Sequence, residues 1–122
     1  MDWQLSLKDE ITWVVCTGVV TEANVLGAAH ELIAAPEMCQ APGMVWDMRK
    51  AKVGFDNSLF PLHRELTNME GYRKDGRTAV LVNSELGYGL GREASAWGES
   101  AGRSVKVFRE ADIDQMIVWL KS

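Results

Sequence analysis

Residues 74–97 read KDGRTAVLVNSELGYGLGREASAW, and this stretch leaves the chain few choices of fold. The run at 78–82, Thr-Ala-Val-Leu-Val, is short, apolar and β-branched, with Gly76 before it and Asn83-Ser84 after it, so it reads as a buried strand. Leu86, Leu90, Ala94 and Trp97 then recur at helical spacing. A strand passing directly into a helix can rejoin its sheet only by a crossover, which makes the next strand parallel. The reading takes 78–82 as the central strand, with the remaining elements laid on either side.

The rest of the chain follows that grammar. Trp3, Leu5 and Leu7 alternate with Gln4, Ser6 and Lys8, a half-buried strand over 3–8. Asp9-Glu10 connects it to ITWVVCT at 11–17, and so short a link permits only an antiparallel hairpin. The chain then leaves the sheet at Gly18, and Thr21 caps a helix with Val25, Ala29, Leu32 and Ile33 on one face, ended by Pro36. Residues 36–43 read as a loop, 44–47 (MVWD) as a buried parallel strand, and 48–57 as a second loop. A helix capped by Ser58 or Asp56 carries Leu59, Leu62, Leu66 and Met69 and stops at Gly71. The strand at 105–108 and the helix at 111–120 complete the order β-β-α-β-α-β-α-β-α. This is an α/β domain with a mostly parallel five-stranded sheet, an antiparallel N-terminal edge strand and about four helices.

Composition narrows the function classes. With 122 residues the chain makes one domain, and 13 basic against 17 acidic residues give a net charge of -4. That balance argues against nucleic acid and against an anionic membrane surface as partners. Cys16 and Cys39 are the only cysteines and form no C-x-x-C, so neither a zinc site nor a redox pair is expected. No signal peptide, integral membrane segment or cofactor motif is visible, and the expected setting is the cytoplasm.

Four features resemble the SpoIIAA-like proteins, small bacterial domains related to STAS domains. They are Gly18 with Thr21 opening the first helix, the strand running into Asp47-Met48-Arg49, the segment Tyr88-Gly89-Leu90-Gly91-Arg92, and Val107-Phe108-Arg109 leading to a helix ending Trp119-Leu120. The resemblance implies a right-handed β-α superhelix with a four- or five-stranded mixed sheet, in a family whose biochemical role is mostly uncharacterised. STAS relatives are switched by a phosphorylated serine after the central strand. Here Met48, Arg49 and Lys50 follow Asp47, with no Ser or Thr before Ser58, so a docking role would have to work without that switch.

Ligands of open parallel sheets bind beyond the carboxyl ends of the strands. Those ends, with the following helix start, gather Asp47, Arg49, Asn83, Tyr88, Arg92 and Arg109 into a polar rim. Three guanidinium forks suit a small anion or an acidic peptide; an Asp47–arginine pair tying loops together accounts for the same charges. Gly87, Gly89 and Gly91 match neither a P-loop nor G-x-G-x-x-G. They fit a tight turn or a close helix–sheet approach, or an irregular helix start that could act as a lid. His30 and His63 read as boundary residues, and a Ser84-His63-Asp47 triad exists only on paper. Five tryptophans, Trp3, Trp13, Trp46, Trp97 and Trp119, fit packing, with a Trp- and Met-lined cavity for an apolar or lipid-like ligand as the competing reading. Phe55 and Phe60 would be the anchors of a homodimer. The expectation is a non-enzymatic module, with a protein partner or small ligand at the rim.

Overall fold

A computed structural model describes residues 1–53, 60–100 and 102–122. Asp56, Ser58, Phe55 and Leu59 lie outside the described residues, as do the side chains of Phe60, His63 and Leu86. The expected helix cap and dimer anchors therefore fall beyond this description.

Strands β1 (Asp2–Lys8), β2 (Ile11–Val20), β3 (Gly43–Val53), β4 (Arg77–Val82) and β5 (Ser104–Arg109) form one sheet in the order β1-β2-β3-β4-β5. β1 is antiparallel to β2 and every other pairing is parallel. Helices α1 (Glu22–Ile33), α2 (Pro36–Cys39), α3 (Phe60–Asn68), α4 (Glu85–Ser100) and α5 (Ile113–Lys121) connect or follow them, with a 3₁₀ turn at Glu110–Asp112. One core lies on the α1, α3 and α4 side of the sheet, around Val14, Cys16, Leu32, Met44 and Trp46. A second lies under α5, around Val45, Ala79, Leu81, Phe108 and Met116. No described helix is long and apolar enough to cross a membrane.

The α/β class, the antiparallel edge strand and the crossovers match the sequence reading. Thr21 caps α1 as expected: its hydroxyl accepts from the Asn24 backbone N–H, and Asn24 Oδ1 accepts from the Thr21 N–H. Four details differ. The middle strand is β3, with β4 one place off centre, because β1 and β2 occupy one flank and β4 and β5 the other. Residues 36–43 hold α2, started by a proline whose missing N–H costs nothing at the first helical position. β2 runs on through Gly18, whose φ of +80° suits glycine, to Val20. β3 likewise continues through residues 48–53, where the sequence suggested a loop.

The last two differences have one cause. β2 and β3 pair from Ile11↔Gly43 to Val15↔Asp47, slip by one residue, and resume at Thr17↔Lys50. The bulge at Met48-Arg49 reverses which residues face the helices. Trp46 and Met48 pack on the helical side before it, and Ala51 does so after it. Lys50 and Lys52 turn outward, so the charged stretch R-K-A-K is an alternating strand.

Cys16 and Cys39 are buried free thiols. Burial, reinforced by Asp47, pushes the Cys16 thiol up to about 12, and burial also raises Cys39 and Tyr72. Native protein is expected to resist thiol reagents at pH 8 and to react fully in denaturant. Because the folded values of Cys16 and Tyr72 exceed the unfolded ones, their contribution to stability is complete below about 9 and is lost as pH climbs toward 12. Denaturation midpoints that stay level across that window would contradict the assignment.

Candidate functional site

The carboxyl edge of the sheet gathers the expected rim residues into two groups. In the first, Asp47 is buried mid-strand, 5% exposed, at the last rung that β4 shares with β3. Its Oδ1 accepts from the Arg49 backbone N–H at 3.1 Å and from Arg49 Nε at 3.0 Å, and its Oδ2 accepts from Nη2 at 2.8 Å. Arg49 Nη1 also donates to Glu110 Oε1 at 3.2 Å. These two carboxylates hold the Arg49 guanidinium firmly in its charged form, Asp47 contributing most. Asn83 adds the next rung: its Nδ2 donates to the Arg49 carbonyl at 2.7 Å, where β4 has already ended.

In the second group Arg109 stacks over the Tyr88 ring, 3.7 Å from its centre, and Nη2 donates to Glu85 Oε2 at 3.3 Å. Arg92 is exposed on α4, one turn beyond Tyr88. The proposed residues thus share an edge. Two of their three guanidinium groups are already matched by carboxylates, Arg49 by two and Arg109 by one. Asp47 is also spent, so it cannot orient a histidine in the paper triad. Among the described residues no group of three or more His, Cys, Asp or Glu is placed to hold a metal ion.

The glycine-rich segment resolves in favour of close approach. α4 runs unbroken through Gly87, Gly89 and Gly91, started by the Ser84 hydroxyl, which accepts from the Gly87 N–H at 2.9 Å. A Cβ on Gly91 would lie 2.3 Å from Val107 Cγ2, and one on Gly98 would lie 2.5 Å from Val105 Cγ2. Two glycines on the face turned to β5 let the helix backbone lie directly on the valines.

That contact draws α4 toward β5 and leaves room over β4. Between the sheet and α1, α3 and α4 lies a cavity of about 710 Å³. Its floor is Trp46, Met48, Thr78, Val80 and Val82, and its roof includes Val25, Leu62, Leu66 and Leu90. Ala79 and Leu81, on the opposite face of β4, are completely buried under α5, whereas Thr78 and Val80 remain only partly buried within an interior strand. The space is partly open to solvent and has the volume of about 20 waters. Arg103 and Tyr72 lie at the end where β4 and β5 begin. The Trp46 indole N–H bonds to the Tyr72 phenol oxygen, and burial keeps that phenol neutral against the opposing pull of Arg103 and Arg73. Asn83, Ser84 and Lys52 lie at the other end.

Sequence reasoning named Trp46 and the methionines as cavity candidates; Trp46 and Met48 do line the space, while Trp3 bonds to Glu31 on α1 and Trp119 packs against Phe108 under α5. It missed Tyr72, Val80 and Arg103. The only signal for Val80 was its place on the even-numbered face of the strand, and nothing local marks Arg103. No protein-family model matches the chain, and no curated protein matches it.

Proposed function

We propose that this protein is a non-enzymatic binding module that carries one small apolar or amphipathic ligand between its sheet and helices α1, α3 and α4. The observation behind this is the partial exposure of Val80 on an interior strand whose other face is sealed. The volume, about 710 Å³, falls in the range of small-molecule sites, and the walls are mainly apolar with a few polar groups at the ends. The carboxyl-edge rim, whose Arg49 and Arg109 are already neutralised, is better suited to bracing the fold than to capturing an anion. Membership of the SpoIIAA-like group is part of the same proposal. It is supported by the order of the short motifs and by a parallel sheet with one antiparallel edge strand.

The test is an uncharged fluorescent naphthylamine probe. Wild-type protein is expected to bind it saturably at one site. Val80→Phe fills the floor of the cavity and should weaken binding by about tenfold or more while the melting temperature holds or rises. No saturable binding to wild type, or equal binding by Val80→Phe, would contradict the proposal.

A further inference from the structure

Resting on that carrier reading, we infer that the ligand is an anionic amphiphile whose oxyanion head sits on Arg103 beside Tyr72, with its apolar body lying along Val80 and Leu90. The chain as a whole is acidic, yet the charged residues lining the cavity, among the described residues, are Arg49, Lys50, Lys52 and Arg103, with no Asp or Glu. Three of the four belong to the far end: Lys50 and Lys52 turn outward, and Arg49 is bound by Asp47 and Glu110. Arg103 is the cation at the end that Tyr72 and Trp46 close.

Its surroundings favour a negative ligand group. Burial pulls the Arg103 guanidinium below its ordinary range, opposed by Tyr72, and a ligand oxyanion beside it would favour its charged form. Arg73 adds a second positive charge near the Tyr72 phenol. A guanidinium carries five N–H donors and a head group needs two, so Arg103 can keep its own contacts and still bind a carboxylate or phosphate. The space runs along β4 from Thr78 to Val82, four steps of the strand or about 13 Å, which suits an extended chain or a flat ring system.

The experiment compares decanoate, decanol and decylamine by calorimetry on wild-type protein, Arg103→Gln and Arg103→Lys, with 2-naphthoate as a ring-bodied acid. Wild type should prefer decanoate or naphthoate over decanol by about tenfold or more, with decylamine weakest. The better acid identifies chain or ring as the body. Arg103→Gln should bring acid and alcohol to equal affinity without weakening the alcohol, and Arg103→Lys should keep part of the preference. Wild-type protein that binds decanol as tightly as both acids would overturn the assignment while sparing the carrier reading. So would a preference that survives Arg103→Gln. Should Arg103→Gln fail to fold, the wild-type ranking and Arg103→Lys still decide. If neither the acids nor the alcohol binds, the carrier reading falls, and this assignment with it.

Discussion

Gly91→Ala is expected to lower the unfolding free energy by about 2–3 kcal/mol, although alanine is the better helix former by about 1 kcal/mol. The added methyl would stand 2.3 Å from one methyl of Val107 and 2.8 Å from its Cβ, so α4 must lift off β5. Gly89, two residues away in the same helix, has nothing within 4 Å of a would-be Cβ. Gly89→Ala should therefore stabilise the protein by about 0.5–1 kcal/mol, as an exposed helical glycine does. Urea denaturation of the two variants side by side gives opposite signs if α4 rests on β5 as described. Equal shifts would mean that the contact is looser. The pair also bears on the cavity, because the α4–β5 contact is what holds the helix away from β4.

The second large effect is expected at Arg73, which is 2% exposed. Its Nη1 donates to the carbonyls of Ala41 at 2.8 Å and Cys39 at 3.3 Å, and its Nη2 to those of Pro42 and Arg77 at 3.4 Å each. One guanidinium thus ties the end of α2 and the entry to β3 to the start of β4. Gly76 is shaped around it: with φ at +84°, a Cβ there would meet Arg73 Nη2 at 2.5 Å and the Pro42 oxygen at 2.6 Å. Arg73→Met keeps the apolar stem but takes one donor from each of four carbonyls, that of Pro42 keeping the Arg77 N–H, and should cost about 3 kcal/mol. Arg73→Lys should recover less than half of that, since an ammonium cannot span the fork. A loss under about 1 kcal/mol in chemical denaturation would show that the carbonyls find other donors.

The parts of this fold that could be read from sequence are those fixed by local pattern. Alternation gave β1, β-branched runs gave β2 and β4, and helical spacing with Thr21 gave α1. The extension of β3 was misread because Arg49, Lys50 and Lys52 look like loop residues; their alternation becomes visible only once the bulge has shifted the phase. The rim was legible because strand carboxyl ends converge in any parallel sheet. Its neutralisation was less so: it needed Glu110 and Glu85, which approach from other elements. The cavity had no direct sequence signature. It arises from the difference between a glycine-lined contact over β5 and larger side chains over β4, a tertiary outcome that no single segment encodes.

The most direct measurement is methyl-resolved nuclear magnetic resonance during titration with decanoate. If the ligand lies where the account places it, shifts should concentrate at Val80, Val82, Leu90, Leu62 and Leu66, and leave Leu81 beneath α5 and Met116 on α5 nearly unmoved. Shifts centred on the α5 face, or a spectrum unchanged at saturating decanoate, would contradict it.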